Sequence, residues 1–338
     1  MIEMKKVTID TVAKKVGVSA ATVSYALSGK KKISSEVREK IMEAVKELDY
    51  RPDITARNLA SSKTWTIGLY ASSTQNIRED YFFNNILTGV LDVLHEKQYQ
   101  LMLYADFFNE ADGKNPDFSL SQPIDGAIIM NPRINDVYIA HVKERNIPYV
   151  VVGTPEEDAG ETYFVDFDIT AGYYAAVNYL ISKGHKKILL MNGLPDYIQS
   201  ENRKAGYKQA FLDNGLDYDE SYIINMRMVE EEGYRAFMKK LEEKTDATAV
   251  ITVNDTIAVG VLRALRDKKI KVPQKMAVVS AGNTMITRVH KPTITSIDMD
   301  AYSLGSKAAE ILVDVIEKRR MQPSREIFQT HLEERESS

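Results

Sequence analysis

At 338 residues, 44% hydrophobic and 27% charged, the chain has the composition of an ordinary globular protein and the length for two or three domains. It contains no cysteine, which excludes disulfides and thiolate metal sites. No apolar run approaches the roughly 20 residues of a membrane helix, and MIEMKKVTIDTVAKK lacks the apolar core of a secretory signal, so no membrane partner is expected and the expected location is cytoplasmic.

The net charge of −4 hides a division. Residues 1–63 hold 13 Lys/Arg against 8 Asp/Glu, a net of +5, while the remaining 275 hold 31 against 40, a net of −9. A small basic part on an acidic body predicts that the small part meets a polyanion.

Ile9, Val12, Ala13 and Val16 fall at helical spacing, and Gly17 marks the end of that helix. Ser19 predicts the cap of a second helix, with Val23, Ala26 and Leu27 inward and Ala20, Ala21, Ser24, Tyr25 and Ser28 facing away. A third helix is written in SSEVREKIMEAVKELDY, where Val37, Ile41, Val45 and Leu48 form the core stripe and Ser34 or Ser35 the cap. Two helices and a short glycine turn make a helix-turn-helix. The outer face of residues 19–28 carries no charge and mostly small side chains. A helix lying in a DNA major groove needs such a face for close approach, with hydroxyls and methyls to reach base edges and phosphates. An ordinary three-helix bundle is the alternative.

The stretch VTIDTVAKKVGVSAATVSYALSG, followed by ISSEVREKIMEAVKELDYRPDITARNLAS, resembles the headpiece of the lactose repressor and purine repressor family over about 60 residues. The resemblance implies a headpiece over 1–50, with base-edge contacts from Ala20, Ala21 and Tyr25 and phosphate contacts from Thr8, Ser19, Thr22, Ser24 and Ser34. Ser28 and Tyr50 complete the expected DNA-facing set there. Many relatives have arginine where this chain has Tyr25, which exchanges a bidentate guanine reader for a ring and one hydroxyl. Residues 51–63 include DITARNLASSK, too short for a stable helix alone. The resemblance implies a hinge helix that pairs with its twin on the operator, where Leu59 wedges into the minor groove beside Ala56 and Arg57. A plain linker is the alternative.

From Trp65 onward short apolar strands alternate with amphipathic helices. TIGLYAS, YQLMLYA, DGAIIM and PYVVVG form one series; YFVDF, KKILLMNG, SYIINMRM, ATAVITV and MAVVSAG form a second. Two such series predict two parallel α/β sheets, with ligands beyond the carboxyl ends of the strands. Neither G-x-G-x-x-G nor G-x-x-x-x-G-K-[ST] occurs, so a nucleotide-dependent enzyme lacks its usual evidence. His185 is expected to be a structural turn residue; Asp166 and Asp168 are open to a metal pair, an acid and base, or ligand contacts.

This body resembles the effector domain of the same family, with the periplasmic sugar-binding fold over 64–338. The implied division is a first subdomain at about 64–165 and 297–325 and a second at about 166–296 and 326–338. The implied cleft residues are Phe82, Phe83, Tyr197, Arg203, Met228, Asn254, Asp255 and Asn283. Two positions depart from the family pattern: Gly282 stands where relatives carry an acid, and Ile169 where they carry a polar residue. The expected protein is a transcriptional repressor and not an enzyme, without cofactor or metal. It is expected to bind a pseudo-palindromic double-stranded DNA operator under control of a small molecule, a sugar or sugar derivative. A homodimer is expected and not a tetramer, because no heptad helix follows HLEERESS. A solute-binding protein, or an effector that is another metabolite or a protein co-regulator, is the alternative.

Overall fold

The computed structural model of the chain describes residues 7–28, 33–50, 63–71, 80–104, 123–156 and 160–338. The chain divides into two units, Met1–Thr64 and Trp65–Ser338.

The first unit contains α1 (Ile9–Val16), α2 (Ala20–Ser28) and α3 (Ser35–Glu47). At the start of α1 the Thr8 N–H donates to Thr11 Oγ1 at 3.2 Å. Gly17 ends the helix at φ 75°, a left-handed turn that glycine adopts without a Cβ penalty, and its N–H reaches the Ala13 carbonyl at 2.9 Å. Ser19 caps α2 by accepting from the Thr22 N–H at 3.1 Å, and Ser34 caps α3 by accepting from the Val37 N–H at 3.4 Å. The three stripes meet in one core: Val12, Ala13, Val23, Ala26, Ile41 and Ala44 are buried, and Ile9, Val16, Leu27, Val37, Val45 and Leu48 pack around them. With so few residues inside, each Val or Ile, worth about 1.5–3 kcal/mol when fully buried, is a large share of the stability. Tyr50 belongs to this core as well, at 8% exposure. The expected hinge, with Ala56, Arg57 and Leu59, lies outside the described residues, as does the side chain of Ser28.

The second unit runs β1 (Thr66–Ala71), α4 (Tyr81–Glu96), β2 (Gln100–Tyr104), β3 (Gly126–Met130), α5 (Val137–Glu144), β4 (Tyr149–Val152) and β5 (Tyr163–Phe167). It continues through α6 (Ile169–Ser182), β6 (Ile188–Asn192), α7 (Ile198–Asp213), β7 (Ile223–Asn225), α8 (Glu230–Glu242), β8 (Ala249–Thr252) and α9 (Asp255–Asp267). The last elements are β9 (Ala277–Gly282), α10 (Met285–Val289), β10 (Thr295–Asp298), α11 (Ala301–Ile316), β11 (Arg325–Phe328) and β12 (His331–Glu333).

Among the described residues these strands form two six-stranded sheets. The first has the order β11-β5-β4-β3-β1-β2, all parallel. The second has the order β12-β10-β9-β8-β6-β7, with only the β10/β12 pair antiparallel. Helices cover both faces, so central strands such as GAIIM, ILLMN and AVVSAG are buried throughout. Strand alternation divides the core: Ile67, Leu69 and Ala71 join the cluster that includes α4 and α11, whereas Tyr70, Ala127 and Ile129 pack with Tyr138 and Val142 of α5. In the second sheet Ile188 and Leu190 face the large shared core, and Leu189 and Met191 face the smaller one with α8 and α9.

The chain passes between the lobes three times. β5, the YFVDF strand that the sequence pattern put in the second series, instead pairs with β4 and β11 and stays in the first sheet to Phe167, β10 stays in the second to Asp298, and β11 stays in the first to Phe328 before β12 joins the second. These crossings fall two to three residues later than the divisions drawn at 165, 296 and 325, because strand pairing continues to the end of each ladder.

Candidate functional site

On the first unit, α2 presents Ala21 and Ser24 as exposed residues and Thr22 and Tyr25 as half-buried ones, beside the exposed Ser19. Ser19 Oγ and Thr22 Oγ1 lie 2.8 Å apart, so the cap also fixes two hydroxyls at the helix N-terminus, where backbone N–H groups favour an anion. Thr8 and Ser34 are exposed at the starts of α1 and α3. Two members of the expected DNA-facing set point elsewhere. Ala20 packs in part against the headpiece core, and Tyr50 is inside it, because the chain leaving α3 folds its ring back over the helices.

On the second unit, a cleft partly open to solvent lies at the carboxyl ends of the strands. Five of the eight expected residues line it: Phe82, Phe83, Arg203, Met228 and Asn254. Phe83 is also a core residue at 1% exposure, while Phe82 is half-buried with its ring 6.2 Å from that of Phe167. Arg203, on the second turn of α7, is buried; its Nη1 donates to Asn192 Oδ1 and Ser200 Oγ, each at 3.3 Å. Asn254 caps α9 by accepting from the Ile257 N–H at 2.9 Å.

The other three expected residues do not line the cleft. Tyr197 is buried at the start of α7 under the Arg133 guanidinium, 5.0 Å from its ring centroid. Asp255 is consumed internally, accepting from Ser280 Oγ, from Ser296 Oγ at 3.2 Å and from the Thr284 N–H at 2.8 Å. Burial pushes its carboxyl above the ordinary range. Asn283 turns its Oδ1 to Arg335 at 2.6 Å. The two departures have physical reasons. Gly282 sits at φ 122°, and a Cβ there would lie 3.1 Å from Asp255 Oδ2 and 3.6 Å from the Phe82 ring. Ile169 is 4% exposed and part of the large core, and it does not line the cleft.

Four polar residues outside the expected set line the cleft: Asp80, Asn131, Asp166 and Gln199. Asp80 caps α4, accepting from the Phe83 N–H at 2.9 Å, and burial raises its pKa. Asp166 accepts from Thr154 Oγ1 at 2.6 Å, Gln199 Nε2 at 3.1 Å and the Phe167 N–H at 2.8 Å. Burial outweighs these bonds and the nearby Arg203 charge and pushes its pKa up to about 6. Asp168 is no partner to it, since it caps α6 through the Ala171 N–H. The signal for Gln199 was available: it lies one helical turn before Arg203, on the same face of α7. The expected structural role of His185 fits its Nδ1, 2.9 Å from Thr248 Oγ1.

The rim joins the lobes directly. Arg133 pairs with Asp196 at 3.1 Å, Asn202 Nδ2 donates to Thr154 Oγ1 at 3.2 Å, and Gln199 reaches Asp166. Buried polar groups that converge beside aromatic faces, in a cleft between two lobes, suit a small polar ligand.

Comparison with known proteins agrees over the full length. Residues 8–53 match the family described as bacterial regulatory proteins, lacI family, and residues 177–338 match the periplasmic binding protein-like domain. The HTH-type transcriptional regulator CelR of Thermobifida fusca is 30% identical over 100% of this chain and 100% of its own. The HTH-type transcriptional repressor PurR of Erwinia tasmaniensis is 31% identical over 97% of this chain and 96% of its own. Among solved structures, a transcriptional regulator CelR–cellobiose complex is similar with a TM-score of 0.75 at 29% identity, covering 98% of this chain and 100% of that one. The Lac repressor dimer bound to operator and the anti-inducer ONPF shares the fold, with a TM-score of 0.81 at 22% identity over 98% of this chain and 99% of that one.

Proposed function

The chain belongs to the lacI family of bacterial regulatory proteins, and from that premise we propose that it is a transcriptional repressor whose operator affinity is set by a neutral sugar in the cleft. It acts in the cytoplasm as a homodimer on a two-fold DNA site, and it is not an enzyme. The observation that carries this reading is the pairing, in one chain, of an uncharged hydroxyl-bearing helix face on α2 with a cleft lined by aromatic and polar groups. A solute-binding protein would need only the cleft.

Three features favour a neutral sugar. The half-buried Phe82 offers a ring face at the cleft, Asn131, Gln199 and Asn254 offer amides, and Arg203 offers a planar fork to vicinal hydroxyls. Two carboxylates, Asp80 and Asp166, stand against that one guanidinium, a balance that disfavours a phosphorylated ligand. The complex of the similar CelR structure holds cellobiose, which makes neutral disaccharides the first compounds to try. Among the described residues the cleft's two carboxyls are already committed: Asp166 is engaged by Thr154 and Gln199, and Asp80 is a helix cap.

Selection from random duplexes followed by footprinting, with and without cellobiose and other neutral mono- and disaccharides, tests the reading. The expected result is a protected two-fold site whose affinity falls steeply with salt and changes with one of the sugars. Failure to select any duplex at low salt overturns it.

A further inference from the structure

Asp298 ends β10 and His331 begins β12, and the two are register partners across the antiparallel pair. Glu333 lies two residues on, so strand alternation places it on the same face as His331. The intervening Ile297 and Leu332 turn the other way, into the large core. His331 Nε2 is 3.1 Å from Asp298 Oδ2 and 3.3 Å from Glu333 Oε1, and the three ligating atoms lie within 4.8 Å of one another.

One ring nitrogen facing two carboxylates is poorly served by a proton, because a single N–H donates well to only one of them. A metal ion is served by both. At metal–donor distances of about 2.0–2.2 Å, donors subtending right to tetrahedral angles sit about 2.8–3.6 Å apart, and both measured spacings fall in that span. The Glu333 side chain is 43% exposed and free of the core, so it can rotate to close the third spacing. The His331 side chain is 66% exposed, which leaves room for water ligands.

We propose that Asp298, His331 and Glu333 form a binding site for one divalent transition-metal cation, Zn²⁺ or Mn²⁺, outside the effector cleft. One imidazole with two carboxylates suits these ions, whereas Mg²⁺ and Ca²⁺ favour all-oxygen sets. The position gives the ion a mechanical role. β10 passes into α11 of the first lobe after two residues, and β12 follows β11 of the first lobe after two residues. A cation bound across β10 and β12 ties together the strands at two of the three crossings and stiffens them.

The test uses the full chain without a polyhistidine tag, stripped with EDTA and titrated with ZnCl₂ by calorimetry and with MnCl₂ by electron paramagnetic resonance. The expected result is saturable uptake of one equivalent of at least one of the two ions, with a raised melting temperature. His331→Ala and Asp298→Asn should each weaken it by at least about tenfold, and His185→Ala should leave it unchanged. Circular dichroism confirms that the variants fold, which their surface positions favour. No saturable uptake of either ion, or uptake that either His331→Ala or Asp298→Asn leaves intact, overturns the proposal.

Discussion

Gln199, on α7, donates from Nε2 to Oδ1 of Asp166, on β5, at 3.1 Å, and so links the two lobes at the cleft. Asn202 with Thr154 and Arg133 with Asp196 extend that link along one edge. A ligand that changes these contacts binds open and closed forms unequally, and only such a difference can shift their populations.

The pH response of this link follows from its carboxyl. Burial raises the Asp166 pKa from 3.8 to about 6, so between those values the native chain holds a proton that the unfolded chain releases. Stability therefore falls as pH rises through that window, and above it the ionised carboxylate costs about 3 kcal/mol. Asp166→Asn removes the charge while keeping an acceptor for Gln199. The variant should gain on the wild type by about 2–3 kcal/mol between pH 4 and pH 7 in urea denaturation. A difference that does not change with pH would show that Asp166 is not desolvated as the fold implies.

Gly282 is held by backbone and neighbours together. A side chain at φ 122° is strained, and its Cβ would crowd the Asp255 carboxylate at 3.1 Å. Gly282→Ala should destabilise the effector domain by about 1–3 kcal/mol. Gly282→Asp should cost more, because it sets a second carboxylate beside a buried one. Thermal melts of the three proteins decide this; an Asp variant as stable as wild type would mean that the loop between β9 and α10 rearranges freely.

Arg203 serves both fold and ligand. Arg203→Ala removes the donor shared by Asn192 and Ser200, so part of its effect is a stability loss of about 1–3 kcal/mol. Binding of whichever sugar shifts the wild-type melt should also fall at least about tenfold, measured by calorimetry at a temperature where the variant is folded. Unchanged sugar affinity would remove Arg203 from the binding set and leave it a structural residue.

The two headpiece tyrosines should separate cleanly. Tyr25 is partly exposed on α2, and Tyr25→Ala should relax base preference at one position of each half-site by about 1–3 kcal/mol while leaving the headpiece folded and the salt slope unchanged. Tyr50 is buried, and Tyr50→Ala should lower headpiece stability by about 3–5 kcal/mol and weaken all DNA binding together. Selection experiments alongside helicity measurements distinguish them; a folded Tyr50→Ala headpiece with altered base preference would restore Tyr50 to the DNA-facing set.

The sequence by itself determined what is local. The three headpiece helices follow from stripes and caps within four residues of each other, and the nine strands from Thr66 to Gly282 were legible as apolar runs, the central ones because parallel strands there are buried on both faces. Phe82, Arg203, Met228 and Asn254 were legible through the family resemblance and its residue-by-residue pattern. Tertiary structure alone decided the rest. β10 (TSID) carries a single apolar residue, and β11 and β12 are edge strands of exposed and half-buried residues, so none of the three shows an apolar run, and which sheet each joins depends on which edge is open to pair. Tyr197, Asp255 and Asn283 left the expected cleft because their partners come from far along the chain: Arg133 for the first, Ser280, Thr284 and Ser296 for the second, Arg335 for the third. A buried polar group must be satisfied by whatever the fold brings to it, and a one-dimensional pattern does not carry that information.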